Sequence, residues 1–182
     1  ATHLVHLVRQ ECVRGCLGVV GCQSLGDGRT DSGIHLCGCR VRFERGVDER
    51  LHLLDKYLAA VGIEKSEVYI ANILKCRPPA NRDPMPEEQD ACIEYLREQV
   101  RLIRPKVIVC LGRISAMRLI KPDFKITKEH GVFFKKNEYT LCAVYHPAAL
   151  LRDPRKKEDM YTDMKNIAAF LQEGAPTGEN ED

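Results

Sequence analysis

The sequence predicts an α/β fold with three layers, helices on both sides of a central parallel sheet. Short apolar runs alternate along the chain with segments whose apolar residues recur every three or four positions. Residues 106–112 form a continuous apolar run, which is typical of a parallel strand covered on both faces. The 182 residues are enough for one domain with a sizeable core, and we predict a single domain over residues 1–172.

The N-terminal quarter has the weakest pattern. Apolar residues among positions 4–8 predict a short helix within residues 1–16. Residues 17–47 sustain neither a period of two nor one of 3.6, and we interpret them as an aberrant stretch. Regular patterning begins at Asp48, a predicted N-cap, and the helix that follows ends at Gly62. One face of this helix carries Leu51, Leu54, Leu58 and Val61.

The rest of the chain alternates strands and helices. The predicted strands span residues 68–74, 106–112 and 139–145. The predicted helices span residues 86–104, 113–120 and 159–171. Pro86 suits a first helical position, and the acidic pair that follows it suits a first turn. Residues 173–182 are rich in Gly and acidic groups, which predicts a disordered tail.

Composition excludes several classes of protein. Hydrophobic residues are 44% and charged residues 30%, a usual globular mixture, and a net charge of +2 gives no overall attraction to nucleic acid. No segment has the pattern of a signal peptide or a membrane span, so we expect a cytoplasmic monomer without a membrane partner. Nine cysteines in such a chain favour metal or cluster binding over a disulfide framework.

Two motifs carry most of the functional information. Residues 68–92 contain an apolar run that ends in Asn72, a proline-rich basic loop that begins with Lys75-Cys76-Arg77-Pro-Pro, and a helix with Cys92. The second motif is His146-Pro-Ala-Ala-Leu-Leu-Arg152. Over residues 49–172 the chain resembles the iron–sulfur uracil-DNA glycosylases, family 4 of the uracil-DNA glycosylase superfamily. That resemblance implies hydrolysis of uracil from DNA at the start of base-excision repair.

The resemblance implies a [4Fe–4S] cluster held by four thiolates. Cys92 follows Cys76 by 16 positions, the spacing of the family's third and fourth ligands. The family takes its first two ligands from a Cys-x-x-Cys pair, and the candidates here are Cys12 and Cys16, which have three residues between them. The cysteines of the two apolar strands, Cys110 and Cys142, are predicted to be small buried hydrophobes. An unrelated α/β domain whose cysteines bind zinc is an alternative.

Asn72 and His146 are the candidate site residues. Both lie at or near the ends of predicted strands, and open parallel sheets bind ligands beyond the carboxyl ends of their strands. The resemblance assigns uracil recognition to Asn72, whose amide can accept and donate hydrogen bonds at once. It assigns to His146 the stabilisation of negative charge on uracil O2. A structural asparagine and an ordinary loop histidine are the competing interpretations.

The resemblance also predicts contacts with uracil-containing DNA. Leu150, Leu151 and Arg152 would form a wedge that holds open the gap left by an extruded base. Arg77 and Arg82, in the basic loop, would neutralise phosphates. The alternatives are that both leucines pack on the sheet and that the loop is merely a solvated charged segment.

Two family segments are missing. A Gly-Glu-Ala-Pro-Gly segment that supplies the water-orienting acid, and a Pro-Phe-Val-Gly segment whose phenylalanine stacks on uracil, should lie within residues 17–47, and neither is present. In another reading frame the codons of residues 29–37 permit Asp-x-(Leu/Phe)-Gly-x-Pro-Phe-Val, although the next codon cannot encode glycine. We therefore hypothesise a frameshift, with impaired activity. A catalytically silent relative that binds DNA or a cluster is the alternative.

Overall fold

The computed structural model describes residues 5–9, 45–74 and 82–173 of the chain. The strands are β1 (Val5–Arg9), β2 (Val68–Asn72), β3 (Val107–Leu111), β4 (Phe133–Lys136) and β5 (Tyr139–Val144). The helices are α1 (Arg45–Ala60), α2 (Pro86–Ile103), α3 (Arg113–Leu119), α4 (Ile126–Glu129), α5 (Pro147–Arg152) and α6 (Lys157–Glu173). Two single 3₁₀ turns, Lys65–Glu67 and Pro154–Lys156, precede β2 and α6.

The described strands form one mixed sheet in the order β2-β1-β3-β5-β4. The first four strands are parallel, and β4 pairs with β5 in the antiparallel direction. The two residues between β4 and β5 form a tight turn in which Asn137 has a φ of +55°, a conformation that asparagine tolerates. The predicted parallel sheet is therefore confirmed for four strands, and the antiparallel strand was not predicted.

The core lies on both faces of the sheet. Val107, Val109 and Leu111 of β3 pack in a cluster with residues of α1 and α6. The intervening residues of β3 face the other way, where Ile108 packs with α2 and Cys110 packs with α3. All five residues of β3 are buried, which explains why its sequence is apolar without alternation.

Two N-terminal predictions are wrong. Residues 5–9 form a strand rather than part of a helix, and β1 lies between β2 and β3 in the sheet. A short apolar run has no periodicity that distinguishes the two states, so the pairing partners decide. Helix α1 begins at Arg45, which leaves Asp48 inside the helix instead of capping it. Most of the aberrant stretch and of the predicted tail, residues 17–44 and 174–182, lies outside the described residues.

Helix α2 begins and ends as its sequence predicts. Pro86 occupies a first-turn position, and the Glu88 carboxylate accepts a hydrogen bond from the backbone N–H of Met85 at 2.9 Å. Arg104 ends the helix in the left-handed region, with a φ of +50°, directly before Pro105. None of the helices in the described part of the chain is long and apolar enough to cross a membrane.

Candidate functional site

The carboxyl ends of the parallel strands meet at one edge of the sheet. Asn72, the last residue of β2, pairs with Arg9 of β1, and Leu111 of β3 pairs with Val144 of β5. Two strands lie between β2 and β5, so Asn72 and Val144 are about 14 Å apart at a strand spacing of about 4.8 Å. Asn72 is half-buried there. This edge brings together the two residues that the sequence nominated from separate motifs.

His146 lies two residues beyond β5 and is the N-cap of α5. Its Nδ1 accepts a hydrogen bond from the backbone N–H of Ala148 at 3.1 Å. An accepting Nδ1 carries no proton, so in the neutral ring the proton sits on Nε2. Pro147 fills the first helical position, where a backbone N–H would have no helical partner. In its neutral form His146 is thus a hydrogen-bond donor through Nε2.

Gly112 supports the backbone of His146 from the neighbouring strand. Its φ of +89° and ψ of 177° lie in a region that is essentially restricted to glycine. A Cβ at this position would lie 2.9 Å from the Cβ of His146. The Gly112 N–H donates to the carbonyl of Val144 at 2.8 Å, and its own carbonyl accepts from the buried Ser115 hydroxyl at 3.0 Å. Glycine here allows β3 and the histidine segment to approach closely.

Ion pairs surround the segment that follows the proline-rich loop. Arg82 makes a two-pronged ion pair with Glu88, with contacts of 2.9 and 2.6 Å. Asp83 accepts from the guanidinium of Arg113 at 2.7 Å, which joins the segment to the start of α3. Arg118 of α3 pairs in turn with Asp90 of α2. Arg82 is therefore an exposed residue that is also held to α2, whereas Arg77 lies outside the described residues.

The described cysteines divide into two kinds. Cys110 and Cys142 are fully buried, and burial raises the pKa of Cys110 to about 12 and raises that of Cys142 as well. Both thiols therefore stay protonated, which is unsuited to metal binding. Cys92 is half-buried in the second turn of α2 against the core. Its partial exposure distinguishes it from the two fully buried cysteines.

The remaining proposed ligands cannot be placed. Cys12, Cys16 and Cys76 lie outside the described residues. Within the described ranges no group of three or more His, Cys, Asp or Glu side chains converges to hold a metal ion. The cluster assignment stays a prediction from the sequence.

The two leucines of the predicted wedge have different environments. Leu150 is 0% exposed and packs in the core with α1 and α6, so it cannot enter a base stack and its assignment to the wedge is wrong. Leu151 is 47% exposed. Arg152 is also exposed, and its Nε donates to the carbonyl of Ala148 at 3.2 Å. Adjacent positions of one helix turn point in different directions, which the motif alone does not reveal.

Sequence reasoning missed a buried ionisable pair close to the site. The carboxylate of Asp163 in α6 lies 2.8 Å from Nδ1 of His130, and the His130 ring packs against the ring of Tyr145. Tyr145 immediately precedes His146. An aspartate at a core-facing position of the last helix, three residues after Met160 and four before Ile167, was the available signal.

Comparison with known proteins identifies the family of this chain. The sequence profile of the Uracil DNA glycosylase superfamily matches residues 45–171, which include Asn72, Gly112 and His146. The chain belongs to this superfamily. The resemblance to this family that the sequence shows is thereby confirmed. The match begins at residue 45, three residues before Asp48, where the regular patterning of the sequence begins.

Three similar proteins are each described as a type-4 uracil-DNA glycosylase. The chain is 41% identical to the one from Archaeoglobus fulgidus over 133 residues, which cover 69% of this chain and 67% of that protein. It is 36% identical to the one from Pyrobaculum aerophilum, over 62% of this chain and 61% of that protein. It is 40% identical to the one from Sulfurisphaera tokodaii, over 59% of this chain and 52% of that protein. The matches thus span about half to two thirds of these relatives.

Replacing Gly112 with alanine should displace His146. Gly112→Ala adds a Cβ 2.9 Å from that of His146 at a strongly positive φ, so we expect both lower stability and slower chemistry at the site. Gly62→Ala is the matched control, because Gly62 has a φ of +75° but a Cβ there meets nothing within 4 Å. The control should lose about 1–2 kcal/mol of unfolding free energy and no activity at temperatures where it is folded. Equal activities of the two variants under those conditions would contradict a role for this contact.

Proposed function

We propose that this protein is a uracil-DNA glycosylase that hydrolyses the N-glycosidic bond of uracil in DNA and so initiates base-excision repair. The supporting observation is His146, an N-cap whose Nε2 carries the ring proton at the carboxyl edge of the sheet, within the matched region of a superfamily member. The relatives described as type-4 uracil-DNA glycosylases support the same assignment. We also propose the three-layer fold of the family, with helices on both faces of the sheet.

The proposed reaction replaces a bond to nitrogen with a bond to water. The C1′–N1 bond of the nucleotide breaks, its electron pair leaves with uracil, and a water oxygen bonds to C1′ while its proton is released. The departing uracil carries negative charge on O2, to which the Nε2–H of His146 donates. Removing a preorganised donor of this kind typically costs 10²–10³ in rate. Asn72 would hold uracil through N3–H and an adjacent carbonyl, a pattern that an amide side chain matches.

The family segment that supplies the water-orienting acid is absent from this sequence. The acidic residues available in the aberrant stretch are Asp27, Asp31 and Glu44, all outside the described residues. A positioned acid–base group typically contributes about 10²–10⁴ in rate. We therefore expect uracil release that is slower by about this factor than in a relative with the acidic segment. Release without any acid would rely on the charge stabilisation by His146.

DNA binding would involve the surface beside α5. Leu151 is an exposed apolar side chain in the helix that His146 caps and is suited to enter the stack that an extruded base leaves. Arg152 lies beside it, and Arg77 and Arg82 would meet phosphates on the other side of the site. Because the net charge is only +2, these local charges would supply the electrostatic attraction.

A [4Fe–4S] cluster would be held by Cys12, Cys16, Cys76 and Cys92. Bound there, it would connect the segment after β1 and the proline-rich loop to α2 through four metal–thiolate bonds. Cys92 supports this proposal because it is half-buried in the second turn of α2, whose first turn already holds Arg82 through Glu88. The role of the cluster would be structural.

The proposed activity is tested by single-turnover release of uracil from a labelled oligonucleotide that contains one uracil. We expect slow release from uracil and none from thymine. His146→Ala should lower the rate by about 10²–10³, because it removes the donor to O2. His52→Ala is the matched control, since His52 is an exposed histidine of α1. DNA binding without release would favour the silent relative, and release that is insensitive to His146→Ala would show that another donor acts.

The two leucines of the motif provide a second test. Leu151→Ala should slow uracil release from duplex DNA more than from single strands, because only duplex DNA has a stack to hold open, and it should leave stability unchanged. Leu150→Ala should instead cost about 2–5 kcal/mol of unfolding free energy, because it leaves a cavity in the core. Urea denaturation and release assays at a temperature where both variants are folded separate the effects. Equal loss on both substrates would argue against a wedge at Leu151.

Metal analysis tests the cluster. Cys92→Ala purified without oxygen should lose most of its bound iron, because one of four thiolates is removed. Cys110→Ala is the control, since that buried thiol is held in its protonated form and should not bind iron. The control should keep the full iron content and the brown colour. A Cys92→Ala protein with undiminished iron would refute the assignment of this residue.

A further inference from the structure

Asp163 is an unusual residue for the interior of this molecule. Within the described part of the chain it is the one acidic or basic residue that is buried, at 4% exposure, on α6 between the core residues Met160 and Ile167. Burying a carboxylate is costly unless it is paired and hydrogen-bonded. The position packs against the sheet, where an apolar residue would fit the pattern of α6. Its presence therefore calls for a function that an apolar side chain could not supply.

The carboxylate is held by one histidine and by the shape of the backbone beside it. Its Oδ2 lies 2.8 Å from Nδ1 of His130. Its Oδ1 occupies the space that a side chain at Gly131 would need, because a Cβ there would lie 2.2 Å away. Gly131 has a φ of +73°, and its N–H donates to the carbonyl of Ala143 in β5 at 2.8 Å. The pair is thus fixed to the strand that leads to His146.

His130 contacts Tyr145, the residue that directly precedes His146. The rings of His130 and Tyr145 pack with their centroids 4.7 Å apart and their planes at 40°. Tyr145 is buried, and the ammonium group of Lys156 lies 5.6 Å from its ring centroid. Because Tyr145 is bonded directly to His146, contacts that hold the Tyr145 side chain also restrain the backbone from which the His146 side chain projects.

We propose that Asp163 and His130 are positioning residues that hold Tyr145, and through it His146, in the geometry required for uracil release. This inference rests on the proposed function, since it concerns the reaction of that same site. Neither residue would touch the substrate. Their contribution would be the orientation of Nε2–H toward the leaving base, and misplacement by about 1 Å from outside a site can cost about 10²-fold in rate.

The ionisation of Asp163 indicates which substitution at this position should preserve the fold. Burial raises the pKa of Asp163, while the hydrogen bond and charge of His130 oppose that rise. The other ionisable groups nearby are Asp159 on α6, Lys156 before it, and Tyr145 and Cys142 on and after β5. Because folding raises the pKa of Asp163, the ionised carboxyl costs stability in full above the native pKa, and this cost declines to zero as the pH falls to the unfolded-state pKa. Asp163→Asn avoids that cost and keeps an oxygen that can accept from His130, so it should fold.

A double-mutant cycle tests the positioning role. Single-turnover uracil release is measured for the wild type, Asp163→Ala, His146→Ala and the double variant, with Asp163→Asn as the conservative substitution. We expect Asp163→Ala to slow release by about 10- to 100-fold in the wild-type background but less than about threefold when His146 is already absent. Asp163→Asn should restore most of the rate. Ile167→Val controls for a stability loss in α6, because it trims a buried residue one turn away.

Equal fractional losses in both backgrounds would overturn the proposal, because they would show that Asp163 acts on the fold and not through His146. An unchanged rate in Asp163→Ala would overturn it too. Histidine ¹⁵N spectra of the full chain distinguish failure of the positioning proposal from failure of the proposed function. The wild type should show His146 as a single Nε2–H tautomer, and Asp163→Ala should show a mixture. If the wild type releases no uracil, the proposed function fails. The spectra alone then decide whether the pair positions His146. An unaltered His146 signal in Asp163→Ala would reject the positioning proposal.

Discussion

Parallel pairing of β1, β2, β3 and β5 is the constraint on which the rest of the structure depends. It makes four strands end at one edge, so that Asn72 and His146, 74 positions apart in sequence, lie on the same side of the sheet. Because β1 and β3 lie between them, the two residues are separated by about 14 Å at their strand ends. Side chains that reach inward across such a gap can enclose a planar base. Without β1, nothing would join β2 to β3, and the distance between the ends of β2 and β5 would no longer be set.

The backbone conformation beside His146 is determined by the close approach of neighbouring segments and not by the intrinsic conformational propensities of its residues. Gly112 and Gly131 each leave out a side chain where a neighbour needs the space, the Cβ of His146 in one case and the carboxylate of Asp163 in the other. Both glycines lie in positive φ regions and both donate backbone hydrogen bonds to β5. The segment 144–146 is therefore constrained from β3 on one side and from the turn before β4 on the other. Such double support is what a precisely oriented hydrogen-bond donor requires.

Charged groups act differently at the surface and in the interior of this protein. The exposed pairs Arg82–Glu88 and Arg113–Asp83 order the segment beside the proline-rich loop, and solvent screening leaves them little net effect on stability. Asp163, the buried member of the pair with His130, costs stability that an apolar residue at this position would not.

The sequence by itself predicted the α/β class, placed α2 and β3 to within one residue at each end, indicated the family, and nominated Asn72 and His146 as site residues. These follow from local rules: Pro86 and Pro105 delimit a helix, an unbroken apolar run is a strand buried on both faces, and a strand-end asparagine and histidine mark a ligand edge. Tertiary structure alone decided that residues 5–9 form the strand between β2 and β3, because an apolar run that short fits either a helix or a strand until partners pair with it. It also decided that Leu150 is buried while Leu151 is exposed, and that Asp163 meets His130 from 33 residues away. Such contacts join residues that no local pattern relates, so only the packing of the whole chain could reveal them.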